Sequence, residues 1–185
     1  GLGYIGRNLK AYFSGQSKQL NISLKTFNRT NIHEISKFKF DYFFNCAGNT
    51  GDFRNKVLET VESNIGLTLF LIKNLAVSKA FISLSSTRIY GFESDIDKKK
   101  SEKNFNCKDH TKLDFVYDGA KKLMESLILN SNNFNIKKSI IVRLSNVIGK
   151  FNHDDLNGET LFKILLKHSM EGKRLHIKQS SESSK

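Results

Sequence analysis

The sequence contains no proline and only two cysteines, and the shortage of cysteine narrows the classes of protein it can represent. Cys46 and Cys107 form neither a C-x-x-C pair nor a ligand cluster, which argues against a disulfide scaffold or a zinc centre. Isolated cysteines are typical of a reducing compartment, so we expect a cytoplasmic protein. No apolar run approaches the length that spans a bilayer and no signal peptide is visible, so we expect a soluble protein without a membrane partner.

Histidine gives no sign of a metal site. The five histidines, which show none of the spacings of metal ligands, are His33, His110, His153, His168 and His176. The segment at 153–155, "HDD", is more simply a loop than a ligand group. We therefore predict no bound metal.

Positive charge is in excess, because 30 Lys and Arg residues stand against 18 Asp and Glu, a formal net charge of +12. The lysine run at 98–100 is balanced by acids around it and is typical of a solvated loop. Residues 1–40, however, contain seven Lys or Arg and one acid, Glu34. A phosphate-rich small ligand, RNA and a merely lysine-rich composition each explain this excess. No clear stripe of aromatic residues accompanies the basic ones, so we expect no nucleic-acid partner.

Strand-like and helix-like segments alternate along the chain. Helical spacing of apolar residues follows the glycine turn at the start and recurs over about 54–78, 114–130 and 161–168. Strand candidates occupy 21–28, 41–48, 80–86, 138–146 and 174–178. The segment 41–48 is apolar enough to be buried on both faces. This alternation predicts an α/β fold with a doubly wound parallel sheet.

The opening glycines have the G-x-G-x-x-G spacing of a phosphate loop. Such a loop lets glycine backbone and helix N-terminal amides approach a dinucleotide pyrophosphate. The residues predicted to contact the cofactor here are Gly1, Gly3, Tyr4, Ile5 and Gly6. A buried strand normally precedes this turn. Since residue 1 is not Met, we expect a longer chain whose first strand lies before this sequence.

Asn28 and Arg29 end the next strand candidate, about 20 residues on, where dinucleotide-binding folds read the adenosine ribose. An acid there accepts the ribose hydroxyls of NAD, whereas an amide followed by arginine offers a fork for a 2′-phosphate. The pair therefore favours NADP over NAD. A surface arginine after a strand is the plainer interpretation.

Tyr117 and Lys121 lie four residues apart in "YDGAK", so both project from one face of a helix. A nearby ammonium stabilises tyrosinate and lowers the phenol pKa from about 10, so that tyrosine can exchange a proton with a substrate oxygen. The spacing alone is common in a lysine-rich chain, but its position supports it. The segment "SLSSTRIYG" ends the preceding strand, where open α/β sheets bind ligands, so one hydroxyl of Ser85, Ser86 or Thr87 could reach the same oxygen. Local hydrogen bonding is the plainer interpretation of these serines.

Together these segments resemble the extended short-chain dehydrogenase/reductases, of the NAD-dependent epimerase/dehydratase type that acts on nucleotide sugars. The matching segments, in the order of the family, are "GLGYIG", "FFNCAG", "SNIGLTLFLIKN", "SSTRIYG", "YDGAK" and "RLSNVIG". The resemblance implies a Rossmann-like dinucleotide-binding domain over 1–150 and the start of a smaller, truncated substrate-binding part over 151–185. It also implies a homodimer through the helices at about 55–77 and 114–130, although packing on the sheet explains their apolar faces equally.

The resemblance further implies roles for individual residues. Ser86 would orient the substrate, Tyr117 would be the catalytic acid/base, and Lys121 would hold the nicotinamide ribose and tune Tyr117. Asn146 would contact the substrate diphosphate. The other residues implied to line the cofactor are Cys46, Ala47, Gly48, Asn64 and Ser85.

Departures from the family pattern narrow the reaction. Thr87 and Arg88 stand where the 4,6-dehydratases carry an Asp-Glu pair, which disfavours elimination of water. The third strand of the family is shortened or absent between Arg29 and Asp41, and Lys150 replaces a usual proline. We predict an NAD(P)-dependent nucleotide-sugar epimerase or 4-keto-sugar reductase with hydride transfer through nicotinamide. The alternative is a catalytically silent NAD(P)-binding regulatory protein or an RNA-binding relative.

Overall fold

The computed structural model describes residues 3–49, 53–90, 113–131, 135–145, 147 and 168–172. The chain divides into two compact units, Gly1–Val147 and Ile148–Lys185. In the second unit the described part is 168–172, which begins with a helical turn at 168–170. A loop is predicted over 91–113, of which 91–112 lie outside the described residues and 113 is helical. The rest of the predicted helix at 161–168 and the predicted strand at 174–178 also lie outside the described residues. The division at residue 150 stays a prediction.

The first unit is built on a parallel sheet. In the described chain three strands pair in the order β1 (Lys39–Asn45), β2 (Ala76–Ser86) and β3 (Ser139–Leu144). The register places Asn45 opposite Ser83 and Ser86 opposite Leu144, so the strands end at one edge. The prediction of an α/β fold with a parallel sheet is confirmed.

Helical segments connect these strands. Helix α1 spans Tyr4–Leu20, and a 3₁₀ turn at Ile32–Lys37 precedes β1. Between β1 and β2 the chain forms α2 (Val57–Val61), a π-helical turn (Glu62–Gly66) and α3 (Leu67–Asn74) without interruption. A second 3₁₀ turn, Thr87–Tyr90, follows β2, and α4 spans Leu113–Asn130. Within the described ranges, no helix combines the length and the apolar character needed to cross a bilayer.

The core joins α3, β2 and α4. Its buried apolar side chains are Ile35, Leu71, Leu75, Val77, Phe81, Met124 and Ile128. Burying side chains of this size contributes about 1.5–3 kcal/mol each. The core therefore fixes α4, which carries the Tyr117–Lys121 pair, against the strand that ends at Ser86.

The strand prediction for 21–28 is wrong. These residues do not join the sheet, and Phe27 instead packs edge-on against Phe40 at 5.8 Å between ring centroids. Backbone amides need partners, and here the Asn31 side-chain oxygen accepts from the Asn28 amide at 2.7 Å, which closes a turn. Side-chain hydrogen bonding of this local kind competes with strand pairing.

Burial of 41–48 on both faces is also not observed. Most of β1 is exposed or half-buried, and the large side chains of Tyr42 and Phe44 reach solvent. The reason is position, because β1 is an edge strand of the described sheet and only β2 covers it laterally.

Candidate active site

Tyr117 lies buried on α4 and is 5% exposed. The Ser86 side chain acts on its phenol and lowers the phenol pKa. The Ser86 oxygen also accepts from the backbone amide of Arg88 at 3.2 Å, which leaves the serine proton free to face the phenol. The ring of Phe53 stacks on Tyr117 with 5.2 Å between centroids and 30° between planes. The structure thus brings together two of the three residues predicted to be catalytic.

Several groups act on the proton of Tyr117. Burial raises the phenol pKa above its ordinary value, because the tyrosinate would lose its hydration. The hydrogen bond from Ser86 and the positive charge of Arg88 oppose this rise, and the carboxylate of Asp118 adds to it. The phenol therefore stays protonated at neutral pH.

Lys121 lies one helical turn further along α4 and is 3% exposed. Its Nζ donates to the carbonyl oxygen of Leu84 at 3.1 Å and lies 6.0 Å from the centroid of the Tyr117 ring. Burial lowers the pKa of this amine to about 8, and the Glu125 carboxylate opposes that fall. Lys121, the third predicted catalytic residue, is therefore on the same buried face as Tyr117.

Gly48 faces the ammonium of Lys121. A Cβ at this position would lie 3.2 Å from Lys121 Nζ and 3.0 Å from Asn64 Oδ1. Its φ of +156° is also a conformation that other residues rarely adopt. The close space and the backbone conformation both require glycine here.

Two buried polar atoms near this point lack partners. Asn64 Oδ1 and Ser85 Oγ find no hydrogen-bond partner in the described chain, although buried polar atoms normally have one. A group rich in hydroxyls and amides, such as a nicotinamide riboside, would satisfy an acceptor and a hydroxyl beside a buried ammonium. The residues present therefore fit a nicotinamide dinucleotide.

The helical stretch from α2 to α3 turns a polar stripe inward. Its buried members are Thr60, Asn64 and Thr68, spaced four residues apart. Asn64 Nδ2 donates to the carbonyl of Thr60 at 2.8 Å, and Thr68 Oγ1 donates to the carbonyl of Asn64 at 2.6 Å. These local bonds hold the Asn64 amide with its oxygen directed at the Gly48 position.

The predicted phosphate loop is described from Gly3 onward. Gly3 has extended backbone and caps α1, whose first turn contains Tyr4, Ile5 and Gly6. Amides in the first turn of a helix point outward along its axis, as anion binding requires. Gly1 lies outside the described residues.

The two ribose-reading candidates lie in the turn after residue 27. The Asn28 side-chain oxygen accepts from the backbone amide of Thr30 at 2.8 Å and from its hydroxyl at 2.6 Å. Arg29 is exposed. The carboxamide of Asn28 is thus already used to shape the turn, and the guanidinium remains the group that faces solvent.

The remaining predicted residues follow the end of β1. Ala47 donates its amide to Asn45 Oδ1 at 3.2 Å, while Asn45 Nδ2 donates to Ser83 Oγ at 3.2 Å. Cys46 is half-buried, and burial raises the pKa of its thiol. Asn146, the predicted substrate contact, lies outside the described residues.

Sequence reasoning missed three residues around Tyr117. Phe53 stacks on its ring, and Arg88 forms an ion pair with Asp118 at 3.1 Å. Asp118 directly follows Tyr117 and Arg88 lies two residues after Ser86, so adjacency was a signal for both. For Phe53 the sequence offers no such signal, because its position depends on the fold. In the described chain, no group of three or more His, Cys, Asp or Glu residues could hold a metal ion.

A parallel sheet with helices between its strands is the architecture of a Rossmann-like fold, whose ligands bind at the carboxyl ends of the strands. The model of the NAD dependent epimerase/dehydratase family matches residues 1–183, and the chain belongs to this family. No curated protein matches the sequence. The family implies that the chain binds NAD or NADP.

Proposed function

We propose that this chain carries the active site of an NAD(P)-dependent enzyme that epimerises a nucleotide sugar or reduces its 4-keto form. The supporting observation is a buried phenol, Tyr117, whose pKa the Ser86 side chain lowers and which lies one turn from the buried ammonium of Lys121. A phenol held in this way can exchange a proton with a substrate hydroxyl or carbonyl.

Each residue has a task in this proposal. The cofactor, when bound, supplies the hydride chemistry. Tyr117 gives its proton to a carbonyl oxygen being reduced and recovers it from a hydroxyl being oxidised. Ser86 orients that oxygen, while Lys121 and Asn64 hold the nicotinamide ribose. Asn146 is the proposed contact to the substrate diphosphate.

The first experiment replaces the phenol. Tyr117→Phe should lower kcat by about 100-fold or more, since acid–base catalysis by one group contributes on the order of 10²–10⁴. The affinity for NADPH should stay within a few fold, because the ring and its stacking on Phe53 remain. Turnover is measured on a panel of nucleotide sugars and 4-keto sugars, and affinity by quenching of NADPH fluorescence.

A matched control is available in Tyr12→Phe, since Tyr12 is 62% exposed on α1. It should leave both quantities unchanged. Equal losses of turnover and of cofactor affinity in Tyr117→Phe would assign Tyr117 a structural role and contradict the proposal.

A second candidate is a cofactor-binding protein without turnover, or an RNA-binding relative. Binding of NADPH with no activity on the whole panel would favour a silent regulatory protein. RNA affinity that falls steeply with salt would favour the relative, because the net charge of +12 would then be the binding determinant.

Three further expectations remain proposals. Arg29 supports NADP over NAD, and the absence of a C-x-x-C pair supports the cytoplasm. The helices at about 55–77 and 114–130 expose Leu58, Leu123 and Leu129, which supports a homodimer through them.

A further inference from the structure

Arg88 contacts the active-site tyrosine from the 3₁₀ turn that follows β2. Its guanidinium carbon lies 5.8 Å from the centroid of the Tyr117 ring and 5.2 Å from that of Phe53. The two rings stack on each other, so the guanidinium completes a compact group of three planar side chains. Guanidinium groups interact favourably with aromatic faces at these distances.

Asp118 fixes the guanidinium in place. Its Oδ1 accepts from Arg88 Nε at 3.1 Å, and its side chain is 2% exposed, against 29% for that of Arg88. A carboxylate buried to this degree is strongly destabilising without a positive partner. The backbone amide of Arg88 donates to Ser86 Oγ, so one residue contacts both Ser86 and Tyr117.

We propose that Arg88, held by Asp118, is a positioning residue that fixes the Tyr117 ring and the Ser86 hydroxyl and places a second positive charge beside the phenol. The role rests on the proposed function, because it concerns the proton that Tyr117 exchanges. Lys121 is the cation that the sequence predicts beside the phenol, but its Nζ is buried and donates to the Leu84 carbonyl. Arg88 is the cation that lowers the phenol pKa against the effect of burial.

The charged groups around the phenol come from three elements. Arg88 lies on the 3₁₀ turn, and Asp118 and Lys121 lie on α4. The third, Arg54, lies over the ring of Phe53 at 5.0 Å rather than over that of Tyr117. Glu125 acts on Lys121 from the next turn of α4. Removal of Arg88 alone therefore takes away a positive charge that lowers the phenol pKa, while the Asp118 carboxylate that raises it remains.

The sequence allows a direct test, because it contains five tyrosines and no tryptophan. Tyrosinate absorbance can be followed with pH, and subtraction of the Tyr117→Phe curve isolates Tyr117. Arg88→Met should move its titration midpoint to higher pH, and Asp118→Asn should move it to lower pH. The double variant should return toward the wild type, and Arg54→Met, the matched control, should not move it.

Kinetics supply a second readout. Arg88→Met should lower kcat by roughly tenfold at neutral pH, a small share of the acid–base contribution, with a smaller change in KM for the cofactor. The alkaline limb of the pH profile should shift with the titration midpoint. Arg88→Lys should restore part of the midpoint and less of kcat, since lysine keeps the charge but not the planar stacking.

The two proposals fail in different ways. The titration needs neither cofactor nor substrate, so absent turnover with the expected midpoint shifts would contradict the proposed function alone. Unchanged midpoints in Arg88→Met and Asp118→Asn, with normal turnover, would overturn the role of Arg88. If Arg88→Met does not fold, the test uses Arg88→Lys and the double variant Arg88→Met/Asp118→Asn. A wild-type kcat in both would also overturn the role of Arg88.

Discussion

The amine of Lys121 is buried, away from solvent. Its Nζ donates to the Leu84 carbonyl oxygen, and Met124 Sδ lies 3.9 Å away. Burial without a full set of acceptors disfavours the charged form, which is why its pKa falls from 10.5 to about 8. At neutral pH a pKa shift of this size lowers the free energy of unfolding by about 3 kcal/mol. Lys121 therefore destabilises the folded protein at the position where its proposed role in the site requires it.

This cost predicts a pH-dependent stability. The folded-state pKa lies below the unfolded value, so the unfolded chain binds more protons between pH 8 and 10.5 and stability from this group rises with pH there. Lys121→Met should raise the free energy of unfolding by about 1–3 kcal/mol at pH 7, and its advantage should shrink toward pH 10. Urea unfolding at a series of pH values measures both.

The control for this experiment is Met124→Leu, an apolar neighbour on the same face of α4. Its effect on the free energy of unfolding should be independent of pH. If Lys121→Met also differs from the wild type by a constant amount across this range, the amine must be hydrated in the folded protein, contrary to the structure.

Among the elements, the helical stretch after Phe53 shows that apolar periodicity can predict a helix and still misplace its buried face. The spacing of Val57, Val61 and Leu69 predicts an apolar buried face, yet these side chains are half-buried or exposed, and neighbouring Leu58 is 83% exposed. The buried face carries Thr and Asn instead. Asn64 Nδ2 and Thr68 Oγ1 donate to carbonyls one turn back, which offsets part of the cost of burying them, while Asn64 Oδ1 stays available to the site.

The strands and α4 could be predicted from the sequence because the patterns that indicate them lie within each segment. Apolar runs fix β1, β2 and β3 to within a few residues, and helix geometry alone sets Tyr117 and Lys121 on one face. The strand prediction for 21–28 failed because a strand forms only where a neighbouring strand pairs with its backbone. The stacking of Phe53 depends on chain segments that meet only in the fold.

Gly48 supplies the sharpest prediction at this scale. Gly48→Ala would place a methyl group 3.0 Å from Asn64 Oδ1 at a φ of +156°. It should lower the free energy of unfolding by about 1–3 kcal/mol, the cost of a strained backbone conformation. It should also weaken NADPH binding by roughly tenfold or more, about 1.4 kcal/mol, because the methyl group fills the space beside Lys121.

Gly15→Ala is the matched control, since Gly15 lies inside α1 and a Cβ there meets nothing within 4 Å. It should raise the free energy of unfolding by about 0.5–1 kcal/mol and leave cofactor affinity unchanged. Thermal unfolding and fluorescence titration compare the two variants. Wild-type affinity in Gly48→Ala would show that the cofactor binds elsewhere.

At the scale of the whole first unit, one ion pair connects the sheet, α4 and the turn after β2. Arg143 on β3 forms two parallel bonds with Glu125 on α4, from Nη2 at 2.7 Å and from Nε at 3.1 Å. Its Nη1 also donates to the phenol oxygen of Tyr90 at 3.2 Å. Because α4 carries Tyr117 and the turn carries Arg88, this pair fixes the two halves of the site relative to each other.

The pair is buried at the Glu125 end, whose side chain is 4% exposed, and this asymmetry predicts a non-additive response. Arg143→Met leaves the carboxylate without its partner and should lower the free energy of unfolding by about 3–5 kcal/mol. The double variant Arg143→Met/Glu125→Leu should recover part of this loss, since the stranded carboxylate is removed, while the buried ammonium of Lys121 loses the carboxylate that acts on it. Urea unfolding followed by circular dichroism measures all three proteins. If the double variant were as unstable as Arg143→Met, lost packing of the arginine stem rather than the stranded charge would account for the effect, and α4 would be held to the sheet by its apolar face alone.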